Sequence, residues 1–155
     1  MRAMKRIASF EVNHNILTRG MYISRVDGDI ITYDIRFRRP NLEPVMENAV
    51  LHSLEHLMAT VLRNGPRAEN VIYFGPMGCR TGCYVLLRDV GPEQALKLIT
   101  DALQTVSQWQ FPLPGATAAE CGNYREHDLE GAKREAARMA EVLRSKSAKD
   151  MNYAP

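Results

Sequence analysis

The stretch from Glu47 to Asn64 constrains this chain most, because it predicts an amphipathic helix with ionisable groups on one side only. It contains the pentapeptide His52-Ser53-Leu54-Glu55-His56. At about 100° per residue, the two histidines lie about 40° apart, and Glu55 lies about 60° to the other side of His52. Apolar residues take the opposite side and its flanks: Val50, Leu51, Leu54, Leu57, Met58, Val61 and Leu62. Such a helix packs on a core and presents two imidazoles and a carboxylate.

Two imidazoles one helical turn apart are able to bind a single metal ion, and a neighbouring carboxylate is able to move protons on what the metal holds. The spacing His-x-x-Glu-His is the inverted form of the zinc peptidase motif. The same residues also occur on solvated helix faces without any function, so the pentapeptide leaves both interpretations open. Because the helix supplies only two ligands, a metal site needs a third from elsewhere in the chain.

Length and charge limit the function classes. A chain of 155 residues predicts one domain, residues 1–155, with a sizeable core. The net charge of +2 and the scattered lysines and arginines give no basic surface for nucleic acid. No apolar run approaches the roughly 20 residues of a membrane span, and the N-terminal residues do not resemble a signal peptide. Three cysteines without a secretory signal indicate a reducing cytoplasm.

The remaining patterns predict strands followed by helices. Two alternating strands flank the turn Asp27-Gly28-Asp29, which is typical of a β-hairpin, and a glycine-rich loop at residues 75–82 separates two further short strands. Helical periodicity begins at Pro92 and again near Asp128, the second helix ending at Arg144. We expect Ser9–His14 to be extended and the tail Ser145–Pro155 to be frayed. This order favours an α+β fold whose antiparallel sheet packs against helices.

The three cysteines differ in their surroundings. Cys83 lies in an apolar strand, where a small buried side chain is expected. Cys79 lies in the glycine loop beside Arg80, where a thiolate could be exposed and electrostatically supported. Cys121 lies between Glu120 and Gly122 at a transition from loop to helix. That position suits a single thiolate ligand for a metal held by a distant helix.

Five blocks together resemble S-ribosylhomocysteine lyase, the enzyme family that makes the autoinducer-2 precursor. They appear in the family's order and spacing, from about Ser9 to Arg144: Ser9-Phe10 with His14, Asp34–Phe37, His52–His56, Pro76–Gly82 and Glu120–Leu129. The resemblance implies an α+β sandwich that works as a homodimer with active sites at the subunit interface. It also implies one divalent metal ion per chain, Fe²⁺ in the family, with Zn²⁺ or Co²⁺ able to occupy the site.

The resemblance assigns roles to individual residues. It implies His52, His56 and Cys121 as metal ligands with water in the fourth position, and Glu55 and Cys79 as the acid–base pair. It implies substrate contacts from Ser9, His14, Arg36 and Arg63. The chain departs from the family pattern at Tyr73-Phe74-Gly75, where Asp-x-Ser is usual, at Asn13, where Asp is usual, and at Cys83, where an aromatic residue or methionine is common.

The implied reaction explains the choice of residues. The family opens the ribose of S-ribosylhomocysteine, moves its carbonyl from C1 to C3 and eliminates homocysteine. Each shift removes a proton next to a carbonyl, and a divalent metal lowers that barrier as a Lewis acid. Protons are taken from and returned to different carbons, so two groups poised near neutral pH are useful, for which Glu55 and a Cys79 thiolate supported by Arg36 are candidates.

Two alternatives remain on the sequence alone. One is a zinc metallopeptidase of the inverted-motif class, in which Glu55 activates a zinc-bound water. Those chains are longer and use a glutamate as the third ligand. The other is a non-catalytic protein with a structural zinc, because structural sites are usually closed by four protein ligands. A fourth side chain on the metal, such as His127 or Cys83, would favour that alternative.

Overall fold

An antiparallel sheet of four strands and three long helices form the protein, which a computed structural model describes from Met1 to Pro155. The strands stand in the order β1-β2-β4-β3: β1 (Gly20–Asp27), β2 (Ile30–Arg36), β3 (Val71–Pro76) and β4 (Gly82–Arg88). The helices are α1 (Ala8–Glu11), α2 (Asn48–Arg63), α3 (Pro92–Ser107) and α4 (Leu129–Arg144). The predicted α+β class with an antiparallel sheet is confirmed.

The predicted hairpin is formed by β1 and β2. Asp27 pairs with Ile30 across a two-residue turn, in which Gly28 adopts a left-handed conformation with φ of 61°. Glycine adopts that conformation without the steric cost that other residues incur. In β2, Tyr33 and Ile35 point into the core and are fully buried. The hairpin therefore supplies one edge of the sheet and much of its inner face.

The helices cover this inner face. Helix α2 packs next to β3, α4 packs next to β1, and α3 packs against both helices. The largest fully buried side chains come from the sheet and all three helices, among them Tyr33, Leu54, Leu57, Met58, Leu87, Ile99, Leu103 and Met139. Burial of the apolar side of α2 leaves its histidine-bearing side turned away from the core. None of the helices combines the length and apolar character that a bilayer span requires.

Two expectations about the chain ends were wrong. Residues Ser9–Glu11 lie in the short helix α1 rather than in extended chain, and no residue of α1 is buried. The tail is docked instead of frayed: Ala148–Asp150 form a 3₁₀ turn capped by Ser147, and Met151 is fully buried. The N–H of Ile23 donates to the carbonyl of Met151 at 2.7 Å. The buried methionine and this hydrogen bond to β1 help to hold a segment that is too short to show a periodic pattern.

Candidate metal centre and flanking cavities

Two backbone carbonyls in the loop between α3 and α4 orient the two motif histidines, which lie on helix α2. His52 Nδ1 lies 2.8 Å from the carbonyl oxygen of Glu126, and His56 Nδ1 lies 2.9 Å from that of Pro114. Because a carbonyl only accepts, each Nδ1 carries the proton and donates it. Both Nε2 atoms are therefore left with a free lone pair. Outer hydrogen bonds of this kind are the usual way in which a metal-binding imidazole is oriented.

Cys121 brings a sulfur atom to these two nitrogens. Its Sγ lies 3.4 Å from His52 Nε2 and 3.9 Å from His56 Nε2. Around a tetrahedral zinc ion, ordinary Zn–N and Zn–S lengths place nitrogen and sulfur about 3.5 Å apart. The N–H of Asn123 also points at Sγ, at 3.4 Å, as suits a thiolate. The three donors therefore fit one divalent metal ion without rearrangement of the chain.

His127 is a fourth residue in this cluster. The potential ligand atoms of His52, His56, Cys121 and His127 all lie within 4.8 Å of one another. His127 Nε2 is 3.8 Å from Cys121 Sγ, and its Nδ1 is 3.0 Å from Ser53 Oγ. His127 lies outside the pentapeptide, six residues after Cys121, and the sequence offered it only as a possible fourth ligand. Burial, followed by the charges of His52 and His56, lowers the pKa of His127.

Ring geometry distinguishes His127 from the two motif histidines. Two imidazoles that bind one tetrahedral ion have ring centroids about 5 Å apart, from the usual Zn–N lengths. The rings of His52 and His56 are 4.7 Å apart and perpendicular, which fits that arrangement. The ring of His127 instead stacks on that of His52 at 3.9 Å, with the planes only 24° apart. The ring of His127 also lies 4.7 Å from that of His56, with the planes 66° apart, so the stacking on His52 is the feature that favours His127 as a cover and not a fourth ligand.

Ser53 contacts the other ring nitrogen of His127. Its Oγ accepts the backbone N–H of Asp128 at 2.8 Å, so its own proton is available for His127 Nδ1. In that arrangement the Nε2 of His127 carries the proton and faces Cys121 Sγ as a donor. The hydroxyl oxygen is equally able to accept from Nδ1, and in that tautomer Nε2 has a free lone pair, so the contact with Ser53 fits both roles of His127. Ser53 itself is fully buried one residue after His52.

Glu55 lines a cavity beside the metal-binding cluster. The cavity has a volume of about 330 Å³, and His56, Arg63 and Tyr73 are among its lining residues. Arg63 is fixed there because its Nη2 donates to the carbonyl of Ile72 at 3.0 Å. A cavity that contains a carboxylate, a guanidinium and one of the motif histidines is suited to a small polar ligand. A larger cavity of about 580 Å³, between α2 and α3, contains none of the sequence-predicted site residues.

The departures from the family pattern at positions 73 and 75 are coupled. Tyr73 lines the cavity of Glu55, and half of its surface is exposed. A Cβ atom at Gly75 would lie only 2.1 Å from the phenolic oxygen of Tyr73, so the ring occupies the space of a side chain at position 75. The absence of a side chain at Gly75 therefore permits the position of Tyr73. Neither change is independent of the other.

Cys79 lines a different cavity, of about 460 Å³, together with His14 and Thr81. This cavity and that of Glu55 share no lining residue. Cys79 is exposed, whereas Cys83 is fully buried, and burial raises the pKa of the Cys83 thiol. The expectation that Cys83 is a small core residue is therefore confirmed.

Arg36 contacts both the thiol of Cys79 and the buried carboxylate of Asp34. Its Nη1 donates to Thr81 Oγ1 at 2.9 Å and lies 3.9 Å from Cys79 Sγ, while its Nη2 lies 2.6 Å from Asp34 Oδ2. Burial lowers the pKa of Arg36, but the charge and hydrogen bonds of Asp34 outweigh this and raise it overall. Ser9, also predicted to contact substrate, lies on α1 and lines neither cavity.

Comparison with known proteins points to one family. The model of the S-ribosylhomocysteinase (LuxS) family matches residues 7–150. Similar proteins include the S-ribosylhomocysteine lyase of Borreliella afzelii, which is 41% identical over 97% of this chain and 99% of its own length. The enzyme of that name from Clostridium acetobutylicum is 43% identical over the same shares. That from Clostridium beijerinckii is 46% identical over 84% of this chain and 86% of its own length.

Proposed function

The chain belongs to the S-ribosylhomocysteinase (LuxS) family, and from that premise we propose that it is a metal-dependent carbon–sulfur lyase. It cleaves S-ribosylhomocysteine to homocysteine and 4,5-dihydroxy-2,3-pentanedione, the autoinducer-2 precursor. The observation that carries this proposal is the cluster of His52, His56, Cys121 and His127, in which the stacking of His127 on His52 supports a fourth metal position that is open to substrate. A catalytic site needs that open position, whereas a structural site does not.

The proposed ligands are His52 Nε2, His56 Nε2 and Cys121 Sγ. Their mixture of nitrogen and sulfur suits a first-row divalent metal, and Fe²⁺ is the proposed ion, with Zn²⁺ or Co²⁺ as substitutes. When bound, the ion supplies a Lewis acid that polarises the carbonyl group of the sugar. Glu126 and Pro114 hold the imidazoles by their carbonyls and so keep both Nε2 atoms directed at one point.

Glu55 and Cys79 are the groups that we propose to move protons. Each carbonyl shift removes a proton from a carbon next to the carbonyl and returns one to the neighbouring carbon, and elimination then expels homocysteine as a thiol. Arg36 supports the thiolate form of Cys79, because its guanidinium faces Sγ. Arg63 lines the cavity of Glu55 and His14 lines that of Cys79, which supports the proposal that both contact substrate. Ser9 is proposed as a further substrate contact.

A homodimer is the proposed state in which these groups meet. The acid–base pair must reach one sugar, yet Glu55 and Cys79 line two cavities without a common residue. The N-terminal residues also carry apolar side chains that nothing in the chain covers: Met4, Ile7 and Phe10 are 92%, 55% and 65% exposed. A second copy of the chain would cover this arm and bring a Cys79 cavity to a metal centre. Each active site would then lie at the interface.

We expect light scattering at micromolar concentration to give the mass of two chains of 17.5 kDa each. Phe10→Ser should shift the equilibrium towards monomer, because it removes apolar area from the exposed arm without touching the core of the chain. Val26→Ser, at another exposed apolar position, is the matched control and should remain dimeric. A wild-type protein that is monomeric under these conditions would contradict the proposed interface.

The activity itself is tested by release of free thiol. The metal-loaded protein should convert S-ribosylhomocysteine to homocysteine, read with a thiol reagent against a blank that contains the enzyme alone. Removal of the metal with a chelator should abolish the release, and restoring Fe²⁺ or Co²⁺ should recover it, because the Lewis acid is needed for the carbonyl shifts. No release by a dimeric protein that holds one metal per chain would refute the proposed reaction.

The presence of His127 in the cluster is the observation that favours a second candidate, a closed structural zinc site. Four protein ligands would leave no position for a substrate oxygen. The stacking of His127 on His52 supports the open site instead. A metallopeptidase is not favoured, because the cluster contains a cysteine and no carboxylate.

The cytoplasm is the proposed location. Cys79, Cys83 and Cys121 are all free thiols. Reduced cysteines persist in a reducing compartment, and a thiolate in either the metal centre or the acid–base pair would be lost on oxidation.

A further inference from the structure

A buried ion pair lies behind the thiol of Cys79. Asp34 and Arg36 are only 1% and 3% exposed, although they point to the side of β2 opposite the main core. The guanidinium binds the carboxylate with two hydrogen bonds, Nε to Oδ1 at 3.1 Å and Nη2 to Oδ2 at 2.6 Å. Its remaining nitrogen, Nη1, faces Thr81 Oγ1 and Cys79 Sγ. The direction of Nη1 therefore depends on how firmly Asp34 holds the rest of the group.

The C-terminal tail adds a third hydrogen bond to this pair. The phenol of Tyr153 donates to Asp34 Oδ2 at 2.7 Å. The ring of Tyr153 stacks on that of Tyr22, with centroids 5.1 Å apart and planes 17° apart. Burial, followed by the charge of Asp34, raises the pKa of Tyr153, so its phenol keeps the proton that it donates. Tyr153 lies beyond residues 7–150, the part of the chain that the family pattern covers.

We propose that Tyr153 is a positioning residue for Cys79, because its phenol fixes Asp34 and thereby holds the Arg36 guanidinium beside the thiol. A buried carboxylate needs all of its hydrogen bonds, and a network that loses one member relaxes around the vacancy. Loss of the phenol leaves Oδ2 with Arg36 as its only side-chain partner, and the guanidinium is then drawn towards Asp34 and away from Sγ. The role of Cys79 in acid–base chemistry rests on the proposed function, but the coupling of Tyr153 to the thiol does not.

The test is the pH profile of the alkylation of Cys79 by iodoacetamide in the metal-loaded protein, followed by mass spectrometry of the peptide that contains Cys79. Alkylation proceeds through the thiolate, and a guanidinium beside the sulfur favours that form, so displacement of the Arg36 guanidinium is expected to slow alkylation at neutral pH. In Tyr153→Phe we expect alkylation to be about three- to tenfold slower at pH 7, a part of what a hydrogen bond to a charged group contributes. The other groups of the Cys79 cavity, His14, Glu43 and Thr81, are the same in both proteins.

Two further variants serve as the negative and the positive control for Tyr153→Phe. Tyr22→Phe removes a phenol that bonds Thr18 instead of Asp34 and keeps the stacked ring, so its profile should match that of the wild type. Arg36→Lys displaces the guanidinium directly and should slow alkylation at least as much as Tyr153→Phe. A profile for Tyr153→Phe that is identical to that of the wild type would overturn the proposal, whether or not Arg36→Lys shifts. Because alkylation needs no substrate, failure of this coupling is distinct from failure to cleave S-ribosylhomocysteine.

Discussion

Replacing Glu55 with glutamine is expected to lower the rate of homocysteine release about 10²–10⁴-fold, the usual contribution of a general acid–base residue. Glutamine keeps the volume and the hydrogen-bonding shape of the side chain but is unable to take a proton. The fold should be unaffected, because Glu55 is half-buried at a cavity and forms no ion pair within the chain. The rate of homocysteine release under saturating substrate, together with the metal content of the variant, measures the effect.

Glu93→Gln is the matched control, because it makes the same change at an exposed position in the first turn of α3 and should leave the rate unchanged. Cys79→Ser should be as slow as Glu55→Gln, since a hydroxyl is far too weakly acidic to act as a thiolate. Either variant is expected to accumulate a 2-keto or 3-keto sugar, visible by ¹³C NMR with labelled substrate. A rate near that of the wild type in Glu55→Gln would exclude the acid–base role, and loss of metal would make Glu55 a ligand.

Cys121→Ala is expected to lose most of its metal, with a metal content well below one ion per chain after dialysis. The reason is that a tetrahedral site with three protein donors keeps only two when the thiolate is removed. Turnover should fall with the metal, because the Lewis acid is lost. The metal-to-protein ratio, measured by atomic emission, checks this without reference to activity.

His127→Ala and Cys79→Ala separate this result from a general effect of cysteine or histidine loss. Both should keep close to one metal ion per chain, Cys79→Ala because its thiol lies in the other cavity. His127→Ala should bind metal about 10–100-fold more weakly, as is typical when a residue around the ligands is removed. If His127→Ala instead loses its metal as completely as Cys121→Ala, His127 is a ligand and the site is closed. If Cys121→Ala keeps full metal, the ligand assignment is wrong.

The Glu55 variant tests the proposed proton transfer, whereas the Cys121 variant tests the proposed metal ligands. A metal-binding protein with inactive Glu55→Gln supports a lyase with three protein ligands. A protein whose metal depends on His52, His56, Cys121 and His127 alike, and which releases no homocysteine, supports the structural site. Tyr73, whose position Gly75 permits, lines the cavity of Glu55, so the turnover rate of the wild-type protein also shows whether an aromatic ring in this cavity is compatible with catalysis.

Much of the fold followed from local patterns. The hairpin was predicted from alternation around Asp27-Gly28-Asp29, and the bounds of the long helices were predicted to within a few residues from periodicity and from the positions of Pro92 and Asp128. These features depend on side chains close in sequence, whose preferences act before any tertiary contact forms. The pairing of His52 with His56 is local in the same sense, since one helical turn determines it.

The positions of more distant residues were decided by tertiary packing. The sequence placed neither His127 over His52 nor Tyr153 against Asp34, because each contact joins segments more than 70 residues apart and leaves no periodic signal. The tail was wrongly predicted for the same reason, since its contacts with β1 and Asp34 are long-range. The N-terminal arm was wrongly predicted because a single helical turn is too short to show a periodic pattern. Family resemblance supplied Cys121 as a ligand, but its distance of 3.4 Å from His52 Nε2 required the folded loop. Local pattern thus determined the elements, and burial with long-range hydrogen bonds determined which of their side chains meet.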